Sequence, residues 1–212
     1  MFQKTENAPK YFVTGIDTEI GKTVVSAILV QYFNADYWKP VQSGDLHFTD
    51  TKKVQQLVSH KNTVFHPETY RLNTPASPHY AAAIDSVTIQ PQKFKIPQTS
   101  KPLIVEGAGG LMVPLNSNFL IINLIKQLNI PIILVSKNYL GSINHTILSV
   151  KALQAKGIVI AGIIFNGEPN EASESAILEH TGERKLFSVP VFEIVDAKNI
   201  ATFVEYIKNY NL

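Results

Sequence analysis

The sequence contains no cysteine, which excludes disulfide bonds, zinc–thiolate sites and a cysteine nucleophile in this chain. Its 19 lysines and arginines exceed its 17 aspartates and glutamates by only two, and no basic tract is present, so the charge does not argue for a nucleic-acid partner. The apolar runs fall well short of the roughly 20 residues that a membrane span needs. Residues 1–10, MFQKTENAPK, contain no apolar stretch typical of a signal peptide. Together these absences predict a cytoplasmic protein.

The 212 residues instead alternate between short apolar runs and segments with helical periodicity. The apolar runs predict strands at 10–14, 36–41, 102–106, 131–136 and 158–167, and a broken strand over 186–194. The helical spacings predict helices at 22–33, 49–60, 78–85, 118–129, 144–157, 171–182 and 196–210. Unbroken apolar strands that alternate with helices are typical of a parallel sheet covered on both faces. We therefore expect one α/β domain over residues 1–212, a three-layer sandwich with a mostly parallel central sheet.

The segment GIDTEIGKT, Gly15–Thr23, connects the first predicted strand to the first predicted helix. It ends in the Gly-Lys-Thr of a phosphate-binding loop. Five residues separate this ending from the first glycine, Gly15, whereas the usual pattern has four. Gly21 lets backbone N–H groups close around a phosphate at the positive end of the helix. Lys22 can reach the β- and γ-phosphates of a nucleotide, and the Thr23 hydroxyl can bind Mg²⁺. An ordinary strand–turn–helix joint is the alternative, and the position in the chain favours the phosphate site.

Three charged residues lie near the end of a predicted strand or near the start of a predicted helix. Glu106 ends the strand 102–106 before the glycine-rich segment 107–110; it could hold a metal, or it could face solvent with the glycines in a turn. Asp50 could be a second metal ligand or the N-cap of the following helix. Lys39 could neutralise charge during a transfer reaction, or it could be an ordinary surface lysine.

Taken in order, these segments resemble the dethiobiotin synthetase family of biotin biosynthesis. The motifs that carry the resemblance are TGIDTEIGKT (14–23), WKPVQSG (38–44), PASPHYAA (75–82), VEGAGGLMVPL (105–115), LGSINHT (140–146) and FNG (165–167). The resemblance covers nearly the whole chain. It implies a P-loop NTPase-like fold and a homodimer with active sites at the subunit interface.

The resemblance also implies a reaction that uses ATP and Mg²⁺. An amine of 7,8-diaminononanoate takes up CO₂ as a carbamate, whose oxygen attacks the γ-phosphate of ATP to give a carbamic-phosphoric anhydride. The second amine then closes the cyclic urea of dethiobiotin, with release of ADP and phosphate. The family is thus one of ATP-dependent ligases that act on small molecules.

Roles for individual residues follow from the same motif match. The implied catalytic residues, around the carbamate and the phosphates, are Thr18, Lys22, Lys39 and Ser43. The implied nucleotide-binding residues are Glu19, Ile20, Gly21, Lys22, Thr23, Val24, Asn166, Pro190 and Val191, with the amide of Asn166 on the adenine edge. The implied Mg²⁺ ligands are Thr23, Asp50 and Glu106. The implied substrate-binding residues are Thr18, Lys39, Ser43 and Gly109, with Gly141, Ser142, Ile143 and Asn144 reaching across from the partner subunit.

Some of these assignments have simpler alternatives. Asn166 and Gly167 could form an ordinary turn, and this glycine stands where an acidic residue is expected from the family. Ser142 or Asn144 could cap the next helix, a role compatible with binding a carboxylate at the free N–H groups. The helix 171–181 lacks the aromatic residue with which some relatives contact the partner's substrate.

Two other classes of protein share parts of this pattern. Partition and cell-division ATPases, which act as switches, carry an extra lysine early in the phosphate loop, and the corresponding residue here is Asp17. ATP-dependent amidoligases need ammonia from a cysteine-dependent glutaminase, and this chain has no cysteine. Both classes are therefore disfavoured.

Overall fold

The computed structural model of the chain describes residues 8–209. Its main sheet has seven strands, and every pair of neighbours among them is parallel. Across the sheet they lie in the order β11 (Lys185–Val189), β10 (Ile160–Asn166), β9 (Ile132–Lys137), β1 (Lys10–Gly15), β6 (Leu103–Gly110), β2 (Asp36–Trp38) and β4 (Phe65–His66). Two small sheets flank it: β3 (Val41–Ser43) with β5 (Tyr70–Leu72), parallel, and β7 (Pro114–Asn116) with β8 (Phe119–Leu120), antiparallel.

Seven α-helices connect these strands within the described residues. They are α1 (Lys22–Phe33), α2 (Asp50–Leu57), α3 (Pro78–Ile84), α4 (Ile121–Leu128), α5 (Ser142–Ala155), α6 (Glu171–Thr181) and α7 (Ala197–Asn209). Helices α1, α2 and α7 pack on one another, and α5 packs on α6. Consecutive residues of the central strands, such as Ile132–Val135, are all fully buried. Because consecutive strand residues point to opposite faces, both faces of the sheet are covered, which confirms the expected α/β fold.

The predicted strand 36–41 is wrong as a single strand. β2 ends at Trp38, and the chain leaves the main sheet at Lys39 and Pro40 before β3 begins in a separate sheet. A proline has no N–H to donate to a sheet ladder, so it is a natural point for a strand to end.

The predicted strand 102–106 is too short. β6 continues through the glycines, and Gly110 pairs with Gly15 of β1, so the turn proposed for 107–110 is wrong. A Cβ at Gly107 would lie 2.8 Å from the ring of Phe12, which explains why a glycine stands there in an extended strand.

Several helix boundaries also differ from the predictions. The segment predicted as the start of helix 118–129 contains β8, and α4 begins only at Ile121. α5 begins two residues earlier than the predicted residue 144, and α2 ends at Leu57 rather than at residue 60. The predicted strand 186–194 ends at Val189. The last residue of the predicted helix 196–210 lies outside the described residues, as do positions 1–7 of the N-terminal segment.

Within residues 8–209, no helix is both long and apolar enough to cross a bilayer. The cytoplasmic location stays a prediction.

The segment 61–100, for which the sequence predicts only one short helix, is held to the sheet edge by Asp36. This carboxylate is 2% exposed, and it accepts hydrogen bonds from the Val64 N–H at 2.9 Å and the Thr99 hydroxyl at 2.6 Å. The Lys101 ammonium lies 3.7 Å from it. One buried carboxylate at the start of β2 thus joins both ends of this segment to the main sheet.

We expect Asp36→Asn to lower the free energy of unfolding by about 1–3 kcal/mol, because an amide cannot accept at both positions and leaves a buried donor unsatisfied. Urea unfolding followed by circular dichroism measures the change. The control is Asp45→Asn, at a side chain that is 74% exposed, where a change within about 0.5 kcal/mol is expected. Equal stability of the two variants would contradict the role given to Asp36.

Candidate active site

A cleft of about 730 Å³ opens at the carboxyl ends of β1, β2 and β6. Parallel sheets bind their ligands at this edge, because the strands all end there and the following loops diverge. The phosphate loop after β1 supplies Lys22 and Thr23, the chain after β2 supplies Lys39, and β6 supplies Glu106. These residues are far apart in the sequence and are brought together by strand order.

The phosphate loop ends at Gly21, the N-cap of α1, which has a φ of +89°. This left-handed conformation favours glycine, and a Cβ there would lie 2.1 Å from the Asn166 side-chain nitrogen. The same Asn166 amide donates to the Ile20 carbonyl oxygen at 2.8 Å. Asn166 therefore fastens the loop to the end of β10, a contact that the sequence does not indicate.

Lys22 is the first residue of α1, and its side chain reaches back to the backbone of the loop. It is 8% exposed, and its ammonium donates to the Asp17 carbonyl oxygen at 2.7 Å. Burial lowers the pKa of Lys22 to about 8, and the positive charge of Lys39 acts in the same direction, while Glu106 and other nearby acids oppose the shift. A fraction of the Lys22 side chains is therefore neutral in mildly alkaline solution.

Glu106 is buried at the centre of the cleft, 1% exposed, so the solvent-facing alternative is wrong. Its Oε1 accepts from the Thr23 hydroxyl at 3.0 Å and from the Lys39 ammonium at 3.1 Å. Its Oε2 accepts from the Tyr37 hydroxyl at 3.0 Å. Burial and the adjacent carboxylate raise the pKa of Tyr37 well above its usual range, so this hydroxyl keeps its proton and donates it.

Lys39 is 3% exposed, so the surface alternative is wrong. Its ammonium bridges two carboxylates, that of Glu106 and that of Asp50 at 2.8 Å. Burial alone would lower the pKa of Lys39, but the two carboxylates outweigh burial and raise it. Lys39 therefore keeps its charge at the centre of the cleft.

Asp50 is the first residue of α2 and not its N-cap. The cap is Thr49, whose hydroxyl accepts from the Lys52 N–H at 3.3 Å. Burial alone would raise the pKa of Asp50, but Lys39 and Lys53 lower it. Its carboxylate is thus ionised and lies between two ammonium groups, since Lys53 is 3.3 Å away on the side opposite Lys39.

The three residues implied as Mg²⁺ ligands lie close together: Asp50 and Glu106 both contact the Lys39 ammonium, and Thr23 donates to Glu106. Within residues 8–209, no group of three or more His, Asp and Glu side chains could hold a metal ion. Mg²⁺ is usually held by one or two carboxylates together with water and substrate phosphates. Two carboxylates and a hydroxyl beside a phosphate loop therefore fit an Mg²⁺ ion that binds with a nucleotide.

Other expected residues lie around this cleft as well. Thr18, Glu19, Ser43 and Gly109 line it. The Ser43 hydroxyl oxygen is buried and has no hydrogen-bond partner within the described part of the chain. A buried hydroxyl without a partner is costly unless a ligand or water satisfies it.

Five of the implied nucleotide-binding residues do not line the cleft: Ile20, Val24, Asn166, Pro190 and Val191. Ile20 is buried and contributes its carbonyl oxygen to Asn166, and Val24 lies half-buried in α1. Pro190 and Val191 are exposed just after β11. They lie near Asn166, because Asn166 pairs with Val189 in the sheet.

The segment Gly141–Asn144 lies outside this cleft. Its residues Gly141, Ile143 and Asn144 line a second cleft of about 730 Å³ together with residues that follow β10. The N-cap of α5 is Gly141, without a side-chain cap, so the alternative in which Ser142 or Asn144 caps the helix is wrong. Ser142 is 1% exposed, and its hydroxyl accepts from the Tyr139 N–H at 3.3 Å.

Three residues that contribute to the site were not predicted from the sequence. Tyr37 is one of several apolar or aromatic strand residues, and nothing local marks its bond to Glu106. Gln42 accepts from the Asp50 N–H at 3.1 Å and so fixes the start of α2. Lys53 could have been found, because it stands three residues after Asp50 on the same helix, a spacing that brings side chains together.

Comparison with known proteins identifies relatives along most of the chain. A family profile described as an AAA domain matches residues 9–199. The ATP-dependent dethiobiotin synthetase BioD of Christiangramia forsetii is 54% identical over 167 residues, which are 79% of this chain and 80% of that protein. The enzyme of the same name from Cytophaga hutchinsonii is 45% identical over 195 residues, 92% of this chain and 94% of that protein. The enzyme of the same name from Rhodopseudomonas palustris is 46% identical over 188 residues, which are 89% of this chain and 90% of that protein.

Solved structures with a similar fold are more distant in sequence. A ParA family ATPase from Chlorobium tepidum TLS has a TM-score of 0.54 at 11% identity, covering 95% of this chain and 99% of that one. A chain of the MinC:MinD cell division complex of Aquifex aeolicus has a TM-score of 0.56 at 10% identity, covering 95% and 96%. Identity this low shows the shared fold and nothing more. By its 45–54% identity to curated relatives over most of their length, the chain belongs to the dethiobiotin synthetase family.

Proposed function

We propose that this chain forms dethiobiotin from 7,8-diaminononanoate, CO₂ and ATP in the cleft at the carboxyl ends of β1, β2 and β6. The reaction is the one expected from membership of the dethiobiotin synthetase family. The observation that carries the assignment to this cleft is the buried cluster of Lys39, Glu106 and Asp50 beside Lys22 and Thr23 of the phosphate loop. ATP and the diamine are the expected small-molecule partners.

The reaction must bring two anions together. A carbamate 4 Å from a phosphate charge faces a repulsion of roughly 4 kcal/mol per charge pair at an effective dielectric constant of about 20. Lys22 and Lys39 line the cleft and would offset this repulsion. A bound Mg²⁺ ion, held by Thr23, Asp50 and Glu106, would neutralise charge on the β- and γ-phosphates.

The chemistry then needs orientation more than proton transfer. The carbamate oxygen attacks the γ-phosphorus, and the bond from that phosphorus to the leaving oxygen of ADP breaks. The second amine attacks the carbamoyl carbon, the bond from that carbon to the phosphate oxygen breaks, and the departing phosphate takes up the proton that the amine loses as the urea closes. Ser43, whose hydroxyl has no hydrogen-bond partner among the described residues, would donate to the carbamate or phosphate oxygens, and Thr18 would act beside it. Lys22 would exchange the Asp17 carbonyl for a phosphate oxygen.

The nucleotide base would lie beyond the loop, between Asn166 and the segment Pro190–Val191. Support comes from the pairing of Asn166 with Val189, which puts that segment next to the loop. The Asn166 oxygen remains available to the base, because the contact with Ile20 uses the side-chain nitrogen.

The substrate carboxylate would bind to Gly141–Asn144 of the partner subunit in a homodimer. Support comes from the separation of this segment from the cleft of its own chain. The adjacent Leu140 is fully exposed, as expected of an apolar residue that a second subunit covers.

A switch role like that of the partition and cell-division ATPases has less support. The resemblance is of the fold alone, and Asp17 stands at the position of the extra lysine in that class. The carbonyl oxygen of Asp17 accepts from Lys22 of its own loop.

The proposed function is tested by incorporation of labelled bicarbonate into acid-stable product, with ATP, Mg²⁺ and the diamine each omitted in turn. We expect label to be incorporated only when all three are present, because the carbamate alone decomposes in acid. Incorporation without the diamine would refute the assignment.

We expect Lys39→Met to lower kcat by 100-fold or more, an order typical of lost charge stabilisation. Methionine retains much of the buried side-chain volume, and circular dichroism checks the fold. The control is Lys52→Met on α2, because Lys52 is exposed and its ammonium donates to the His47 carbonyl oxygen at 2.9 Å. Turnover of the diamine by Lys39→Met at the wild-type rate would remove Lys39 from the mechanism.

We expect the affinity for ATP to fall as the pH rises above about 8, the pKa of Lys22 in the free chain. Phosphate oxygens raise this pKa in the complex, so the bound state holds more protons than the free state between the two pKa values. The Kd then rises by up to about tenfold per pH unit in that range and is unaffected by Lys22 below it. Equilibrium binding of a non-hydrolysable ATP analogue at pH 7 and pH 9 measures this.

The control for the pH effect is Lys22→Arg, because arginine keeps its charge throughout this range. Its Kd should change little between the two pH values. An equally large change in wild type and variant would show that another group is responsible.

A further inference from the structure

Tyr37 on β2 donates a hydrogen bond to Glu106 on the neighbouring strand, β6. Tyr37 pairs with Ile104 of β6, and residues 104 and 106 point to the same face of the sheet because they are two apart in a strand. The Tyr37 side chain is fully buried, and its hydroxyl lies 3.0 Å from Glu106 Oε2. The contact is thus built into the register of two neighbouring strands.

This bond divides the two oxygens of the Glu106 carboxylate between different tasks. Oε2 accepts from Tyr37, whereas Oε1 accepts from Thr23 and Lys39. Without the hydroxyl, Oε2 would be a buried anionic oxygen with no donor, which is unfavourable enough to turn the carboxylate towards another partner. The hydroxyl therefore fixes which oxygen faces the phosphate loop.

We propose that Tyr37 is a positioning residue for the Mg²⁺ site: it holds Glu106 so that Oε1 is presented to the metal that accompanies ATP. The inference rests on the proposed function for the use of Mg²⁺, but it concerns a residue that acts only through Glu106. Partners of this kind, which orient a ligating carboxylate, typically contribute 10–100-fold to metal affinity.

The ring and the hydroxyl of Tyr37 have separable roles. The ring packs in the core, with its centroid 6.0 Å from that of Phe65, and a phenylalanine would retain that packing. Tyr37→Phe thus removes the donor and little else. A purely structural tyrosine would affect stability without affecting the metal.

The test is the affinity for Mg²⁺, measured by calorimetric titration of MgCl₂ into the chain loaded with a non-hydrolysable ATP analogue, after subtraction of a titration of the analogue alone. We expect Tyr37→Phe to raise the Kd for Mg²⁺ by 10–100-fold. The control is Tyr70→Phe, because Tyr70 is also buried and its hydroxyl accepts from the Gln90 N–H at 2.8 Å, outside the cleft lining. We expect less than a twofold change there. Unchanged or tighter Mg²⁺ binding by Tyr37→Phe would overturn the proposal.

A double variant shows whether the effect passes through the carboxylate. Glu106→Gln weakens Mg²⁺ binding by itself, and adding Tyr37→Phe to it should then have no further effect, since interacting residues are not additive. A full additional loss would mean that Tyr37 acts elsewhere, and the proposal would fail.

The result is also independent of product formation. If Tyr37→Phe weakens Mg²⁺ binding while the wild-type chain incorporates no bicarbonate, the positioning role stands and the proposed reaction fails. If the wild type makes dethiobiotin and Tyr37→Phe binds Mg²⁺ normally, the reaction stands and the positioning role fails.

Discussion

A buried ammonium group between two carboxylates is the interaction around which this cleft is arranged. Lys39 is 3% exposed and lies 3.1 Å from Glu106 and 2.8 Å from Asp50. Removing charges from water costs several kcal/mol per ion, and close ion pairs offset that cost only when their geometry is good. The end of β2, the middle of β6 and the start of α2 must therefore keep fixed positions relative to one another. The fold provides this through the adjacent parallel strands and the Thr49 cap of α2.

The phosphate loop is also held in a fixed position, in this case by hydrogen bonds to its backbone. Lys22 donates to the Asp17 carbonyl oxygen and Asn166 donates to that of Ile20, so two side chains hold the loop backbone at two points. A loop already in place loses little conformational entropy when a nucleotide binds. The bond from Lys22 is one that a phosphate oxygen can replace, and a phosphate restores the charge that burial disfavours. The loop is thus ordered by hydrogen bonds, and a bound phosphate can replace at least one of them.

Local sequence patterns were sufficient for the fold class and for the position of Gly21, Lys22 and Thr23 where a loop after the first strand opens a helix. They also marked Glu106, because an acid and glycines at the end of an apolar run are unusual. They failed where distant segments determine the outcome. Tyr37 and Glu106 are 69 positions apart, and only the pairing of β2 with β6 brings them together. The contact of Asn166 with the loop and the division of 36–41 between two sheets depend on tertiary structure in the same way.

The fold by itself does not decide between a switch and a ligase, because the ParA and MinCD structures have TM-scores of 0.54 and 0.56 at 11% and 10% identity. The arrangement of charge is more informative. A switch needs a nucleotide-dependent contact with a partner, whereas a ligase that joins anions needs cations and hydroxyl donors directed into one enclosed space. Lys22, Lys39 and Ser43 all line one cleft, and the buried Ser43 hydroxyl has no hydrogen-bond partner among residues 8–209. The cluster around Lys39 is buried at a considerable desolvation cost, so it is weak evidence for a stabilising role and supports the proposal that it stabilises charge during phosphoryl transfer.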